Sequence, residues 1–374
     1  MGSIQKIDRP KPWRARYRGL DGKERSRSFL RKVEAERWLR NELASQDRGI
    51  WTDPSAGRVL FEEWVARSLR GRVLKPKTRA GYEELLRSLI LPRFGGLELR
   101  HISSVLVREW QADLLETGLS PARVRQARAV VHATLDLAVE DGVLAQNPVA
   151  KVSAPKVRAR RQRFLTEDEV DSLAEGCDQR QSGTGKLVRF LAYSGLRWGE
   201  AVALRRQHVE PEHRRVRVEE SATEVVGRLE WGKPKNHETR TVIVPRFVID
   251  ELVPRLDSMT NEDLVFTAPR GGPMRGPNFR NRVWSPAVAN SGLPSDLVPH
   301  DLRDTAASLM IASGASIKAV QRALGHASAK VTLDIYGGLF EEDLEALADR
   351  MEQRHAARRG HHGDDPTRSP RSTP

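Results

Sequence analysis

The chain has 374 residues, with 63 Lys+Arg against 50 Asp+Glu, a formal net charge of +13 and a sequence pI near 10.2, a field that attracts a polyanion such as nucleic acid or an anionic membrane. No apolar run approaches the roughly 20 residues that span a bilayer, the opening MGSIQKIDRPKPW lacks the apolar stretch of a secretory signal, and a single cysteine, Cys177, cannot close an internal disulfide. Membrane insertion is therefore not expected, an internal disulfide is excluded, the expected compartment is a reducing, cytoplasmic one, and the length calls for two or three separate cores.

The first elements are read from WRARYRGLDGKERSRSFL, two short alternating runs around Gly19-Leu20-Asp21-Gly22, which is turn chemistry between hairpin strands. RKVEAERWLRNELASQDRG follows, with Val33, Ala35, Trp38, Leu39 and Leu43 assigned to one helical face and Gly49 to its stop. A small sheet closed by one helix is predicted for residues 1–56. Arg14, Arg16, Arg18, Lys23, Arg25 and Arg27 crowd its strands. Alternate strand positions share a face, so these residues form either a DNA-contacting surface or a solvated one.

WTDPSAGRV reads as a linker into a wholly helical unit, residues 57–155. In SPARVRQARAVVHATLDLAVEDG, Ser120 and Pro121 make a cap and first turn, Val124, Ala127, Val131, Leu135 and Ala138 recur at three- or four-residue spacing, and Gly142 lies beyond the end. Residues 78–90 supply a second amphipathic run through Tyr82, Leu85, Leu86 and Leu89. Lys75, Lys77, Arg79, Arg123, Arg125 and Arg128 set positive charge around these helices, which fits a clamp on duplex DNA or scattered surface charge.

NPVAKVSAPKVRARRQRF, rich in Pro and basic residues, reads as an extended second linker. Beyond it Thr166 stands three residues before Glu169, a capping-box signature, and residues 156–355 mix helices with a short β region that includes RRVRVEE and TRTVIVP. The end, residues 356–374, has no apolar periodicity and is expected to be a disordered tail. Its His361 and His362 are read as solvated rather than metal-binding.

Four segments of the third region together resemble the tyrosine recombinase family of phage-integrase type, actinobacterial phage-type integrases in particular. They are SGLRWGE at 194–200, WGKPKNHETRTVIVP at 231–245, HDLRDTAASLMIASG at 300–314 and LGHASAKVTLDIYGG at 324–338. The resemblance implies a multidomain, mainly α fold with small β elements: an arm-binding sheet with one helix, a helical SAM-like core-binding domain and a mixed α/β catalytic domain. It also implies that Arg197, Lys235, His300, Arg303 and His326 form the active-site constellation, with Tyr336 as nucleophile and Glu200 in support. In the family's pattern the first His assists as base, the second donates a hydrogen bond, and the Lys protonates the leaving 5′-oxygen. Lys233 is a rival for that last role.

These residue types suit the chemistry in their own right. Attack on a phosphodiester builds negative charge on non-bridging oxygens, which two guanidinium forks can pair with. Arg197 follows the apolar run LVRFLAYSGL, where an unpaired charge is costly, so it pairs with DNA phosphate, with Glu200, or with both. His300 and Arg303, three residues apart, share a helix face after Pro299. Two histidines can help move a proton from a phenol of reference pKa about 10. Many relatives carry His after the Arg of the His-x-x-Arg motif, whereas this chain has Asp304, a position outside the expected constellation. The sequence has no Asp/Glu cluster of the kind that holds paired Mg²⁺ and no Walker loop, so no metal, cofactor or ATP is expected.

The expected activity is site-specific cutting and rejoining of double-stranded DNA at core and arm sites through a 3′-phosphotyrosyl link, by a homotetramer on synapsed duplexes, with an accessory DNA-bending protein or excision factor as a further partner. The alternatives are a type IB topoisomerase-like enzyme and a catalytically inactive DNA-binding regulator on the same scaffold. Two DNA-reading layers weigh against the first, and a complete polar set with Tyr336 against the second.

Overall fold

A computed structural model describes residues 2–48, 53, 56–157, 162–234, 239–340 and 344–360. The chain divides into two compact units, Met1–Ala159 and Arg160–Pro374.

The first unit begins with an antiparallel sheet of β1 (Gly2–Lys6), β2 (Trp13–Arg18) and β3 (Glu24–Phe29), in that order. The turn between β2 and β3 needs the left-handed backbone of Gly22, at φ +78°. Strand alternation in β2 buries Ala15 and Tyr17 under α1 (Lys32–Asp47), which contributes Ala35, Leu39 and the Trp38 ring, 5.4 Å from Tyr17. Val33 does not join this face and is exposed. A two-residue step turns a helix by about 200°, so Val33 lies across the helix from Ala35. β1 went unread because Ile4 is its one apolar residue; it is recruited by pairing Ile4 against Ala15.

A separate helical cluster follows, built from α2 (Phe61–Arg70), α3 (Pro76–Leu85), a wider π turn over Leu86–Ile90, α4 (Leu91–Phe94), α5 (Ser104–Glu116) and α6 (Pro121–Glu140). The Ser120 hydroxyl caps α6 by accepting the Arg123 N–H, and Val124, Ala127, Val131, Leu135 and Ala138 are all buried. The indole N–H groups of Trp64 and Trp110 donate to the Thr134 and Leu89 carbonyls, so these large rings enter the core without an orphaned donor.

The second unit opens with α7 (Glu167–Arg180), whose capping box is complete: Thr166 Oγ1 accepts from the Glu169 N–H and the Glu169 carboxylate from the Thr166 N–H. α8 (Thr184–Ser194) is buried on most of its surface, and α9 (Trp198–Ala201) follows at once. A three-stranded antiparallel sheet orders β4 (Val209–Glu210), β5 (Arg215–Val218) and β8 (Arg240–Ile243), while β6 (Ser221–Val225) and β7 (Arg228–Gly232) pair as a hairpin inserted between β5 and β8. Short helices α10 (Arg246–Asp250), α11 (Val253–Leu256), α12 (Gly276–Phe279) and α13 (Ser285–Asn290) lead to α14 (Asp301–Ala312), α15 (Ile317–Leu324), α16 (Ala329–Tyr336) and α17 (Leu344–Gly360). The tail expected from residue 356 is helical through Gly360: the local sequence is rich in Ala, Arg, Gln and Glu, strong helix formers that need no apolar stripe. His361 and His362 lie outside the described residues. No described helix is long and apolar enough to cross a membrane.

Candidate active site

The site is assembled where α8, α9, β8, α14, α15 and α16 meet in the second unit. α8 ends at Gly195, whose φ of +67° turns the chain back, and a Cβ there would stand 2.6 Å from Leu324 Cδ2. That turn aims the Gly195 carbonyl inward and starts α9 at Arg197. Three residues on, the Glu200 carboxylate accepts from the Arg197 N–H (2.9 Å), Arg197 Nη1 (2.9 Å), and Arg240 Nη1 and Nη2 (3.0 and 2.6 Å). These four bonds match the acceptor capacity of a carboxylate, although Glu200 is only 2% exposed. Burial alone would raise its pKa, but the hydrogen bonds and charge of Arg240, with the Arg197 N–H and guanidinium, outweigh that and hold it below the ordinary value.

Arg303 is 4% exposed and donates to two backbone carbonyls, Nη1 to Gly195 O and Nη2 to Leu324 O, both at 2.6 Å. Burial, then the positive charge of Arg197 and Arg240 against the pull of Glu200, brings its pKa down to about 10. It remains cationic at neutral pH. Two guanidiniums therefore share one buried carboxylate while a third rests on backbone carbonyls, which leaves a concentrated positive field suited to an anion.

His300 stands at the N-terminal end of α14, and its carbonyl accepts the Arg303 N–H. Its surface is exposed, yet partial loss of water around the ring, then the charges of Arg303 and Arg197, outweigh Asp304 and Asp301 and lower its pKa. His326 follows Gly325, whose left-handed φ of +65° closes α15; a Cβ there would meet Arg240 Cδ at 2.9 Å. His326 Nδ1 lies 3.0 Å from Thr332 Oγ1. Desolvation, then Arg303, Arg197 and Arg240, lowers its pKa to about 4, so it is neutral at pH 7. Tyr336 ends α16, 2% exposed, its ring parallel to His326 (6.3 Å, 10°) and 6.4 Å from Phe164. Its hydroxyl donates to Asp304 Oδ1 at 2.6 Å, and burial together with that carboxylate pushes its pKa well above the usual tyrosine value.

The structure thus brings Arg197, Glu200, His300, Arg303, His326 and Tyr336 into one region. Lys235 lies outside the described residues, between the end of β7 at Gly232 and the start of β8 at Arg240; Lys233 is exposed beside β7. Sequence reasoning missed Arg240, which reads there as one more charged residue on a strand. It set Asp304 outside the constellation, as a change that could alter the hydrogen bonding around it; in the structure Asp304 Oδ1 accepts from the Tyr336 hydroxyl. Among the described residues, no group of three or more His, Cys, Asp or Glu side chains is placed to hold a metal ion.

The basic residues of the first unit divide. Arg14, Arg16 and Arg18 share the sheet face opposite α1; Arg14 donates to Ser26 Oγ and Arg16 lies 3.6 Å from Glu24. Arg25 and Arg27 do not join them, since Tyr17 pairs with Arg25 and Ala15 with Arg27 across the strands, which puts both arginines on the α1 side. Arg25 is tied to Asp21 and Asp53, and Arg27 lies over the Phe29 ring. In the helical cluster Lys75, Lys77 and Arg125 are exposed, while Arg123 pairs with Glu84.

Residues 163–342 match the family profile described as Phage integrase family, and residues 59–115 match Phage integrase, N-terminal SAM-like domain. The chain is similar to tyrosine recombinase XerC of Ralstonia pickettii (strain 12J), 30% identical over 305 residues that cover 76% of this chain and 89% of that one. It is 28% identical over 342 residues to the integrase of Mycobacterium phage D29, covering 87% and 89% of the two chains. The Tn1549 transposon integrase, solved in complex with a circular intermediate DNA, shares the fold with a TM-score of 0.68 at 20% identity, over 79% of this chain and 99% of that one.

Proposed function

The chain belongs to the phage integrase family of tyrosine recombinases, and from that premise we propose that its Tyr336 cuts DNA by attacking a phosphodiester held by Arg197 and Arg303. The chain is a tyrosine-type site-specific recombinase acting in DNA integration and recombination. The observation that carries the residue-level reading is the cluster of three guanidiniums, Arg197 and Arg240 on the buried Glu200 carboxylate and Arg303 on two backbone carbonyls, with a buried tyrosine hydroxyl on the neighbouring helix α16.

In this reading Glu200 and Arg240 fix the base of Arg197, while Arg303 is anchored on two carbonyls, so neither guanidinium reorganises when charge appears on the non-bridging oxygens. The Tyr336 oxygen forms its bond to phosphorus as the bond to the 5′-oxygen breaks. Lys235 gives a proton to that leaving oxygen, His300 takes part in removing the phenol proton, and His326, neutral, donates a hydrogen bond. The 3′-phosphotyrosine conserves the energy of the broken bond, and a 5′-hydroxyl from the partner duplex reverses the step on a new strand. Exchange between two duplexes breaks four strands, which calls for four protomers on synapsed DNA. Residues 1–56 serve as the arm-binding domain, 57–155 as the core-binding domain and 156–355 as the catalytic domain. Arg14, Arg16 and Arg18 face arm DNA, with Lys75, Lys77 and Arg125 toward the core duplex; an accessory bending or excision factor completes the assembly.

The test is a recombination assay on DNA carrying the attachment sites that flank the gene, run in excess EDTA. Joined products that require two sites are expected. Relaxation of a plasmid with no second site, and no exchange, would instead favour a topoisomerase.

A further inference from the structure

Resting on the assignment of Tyr336 as nucleophile, we propose that Asp304 is the immediate proton acceptor for the Tyr336 phenol, so that consecutive positions of α14 serve the phosphate and the nucleophile. The 2.6 Å separation from Tyr336 Oη to Asp304 Oδ1 is that of a charge-assisted O–H···O⁻ bond. Both ends are held. Tyr336 is enclosed by Phe164 and the His326 ring, and Asp304 sits on α14 beside Arg303, itself pinned by the Gly195 and Leu324 carbonyls. With the hydrogen directed at the carboxylate, an oxygen lone pair is left for phosphorus, which is the arrangement general-base catalysis requires. Among the described residues the bond from Tyr336 Oη goes to Asp304, not to a histidine. His300 lies four residues earlier, on the same helix face as Asp304.

The step balances. As the phenolic oxygen bonds to phosphorus, its O–H bond breaks and the proton moves to Asp304 Oδ1; the electron pair of the P–O5′ bond leaves with the 5′-oxygen, which takes a proton from the general acid. Rejoining runs in reverse, and the Asp304 carboxylic acid returns the proton to the departing phenolate. The same carboxylate stabilises the phenol over the phenolate in the resting state, so free phenolate does not accumulate. Transfer is therefore concerted with attack, when bonding to phosphorus makes the phenol strongly acidic.

Single-turnover cleavage of a nicked core-site substrate by the full chain separates the possibilities. Asp304→Asn retains an oxygen that can orient the hydroxyl but is not basic; it is expected to slow adduct formation by roughly 10²–10⁴-fold with core-site affinity and melting temperature unchanged. Placing 3,5-difluorotyrosine at position 336 in that variant makes the phenol more acidic and should recover about 10-fold or more of the loss. Wild-type or faster cleavage by Asp304→Asn overturns the proposal and makes Asp304 a restraint. A slow variant with no recovery also overturns it, leaving a positioning role. If Asp304→Asn melts early, Asp304→Ser with and without the fluorinated tyrosine gives the same comparison. An adduct that persists in Tyr336→Phe sinks the nucleophile assignment instead, and is read separately.

Discussion

Arg14, Arg16 and Arg18 stand on the open face of a three-stranded sheet with a serine and a loosely placed glutamate for company, whereas Arg197, Arg240 and Arg303 converge on one buried carboxylate and two backbone carbonyls. Surface arginines meet DNA through counterion release, a term that adds roughly residue by residue and fades with salt. Those held in the site are worth more per residue because their positions are set by Glu200 and the backbone carbonyls before substrate arrives. The cost is that removing any of them disturbs the others.

The contrast is sharpened most by Arg303→Ala or Arg197→Ala, each expected to slow single-turnover cleavage by about 10²–10³-fold while core-site affinity stays near wild type. A loss seen in affinity and its salt slope instead would erase the distinction. Next comes Arg240→Met, which strips two bonds from buried Glu200. Breaking a buried pair costs about 3 kcal/mol or somewhat less where, as here, Arg197 remains, and adding Glu200→Gln should recover part of the melting temperature. If the double variant is no better than the single one, the pair does not act as a unit.

A smaller effect concerns His326. Its folded pKa of about 4 lies below the ordinary 6.5, so as pH falls the unfolded chain takes the proton first; the contribution to stability is complete above pH 6.5 and is lost between 6.5 and 4. Wild type should lose melting temperature more steeply across that window than His326→Gln. Equal slopes would mean that the arginine field does not reach His326. Least in size, Arg14→Ala, Arg16→Ala and Arg18→Ala should each lower the salt slope of arm-site binding by about 1 without touching core-site cleavage, while Arg25→Ala, whose partners are Asp21 and Asp53, should leave that slope unchanged.

Local signals were readable and long-range pairings were not. The Ser120–Pro121 start of α6 with its buried stripe, and the Thr166–Glu169 box, depend on residues within a few positions of one another. The spaced motifs singled out Arg197, His300, Arg303, His326 and Tyr336, which the structure brings into one region. What holds them is non-local: Arg303 reaches a carbonyl 108 residues away, Arg240 a carboxylate 40 away, and Tyr336 a carboxylate 32 away. Arg25 and Arg27 went astray for a related reason, since which face a strand residue takes depends on the register of its neighbour.

The central claim is that Tyr336 is the nucleophile, and peptide mapping of the covalent adduct on a nicked core-site substrate tests it most directly. The account predicts a single modified peptide carrying the 3′-phosphate on Tyr336, with no adduct from Tyr336→Phe, which should still bind the same DNA as tightly as wild type. A phosphate mapped to another residue, or an adduct surviving in Tyr336→Phe, would contradict it.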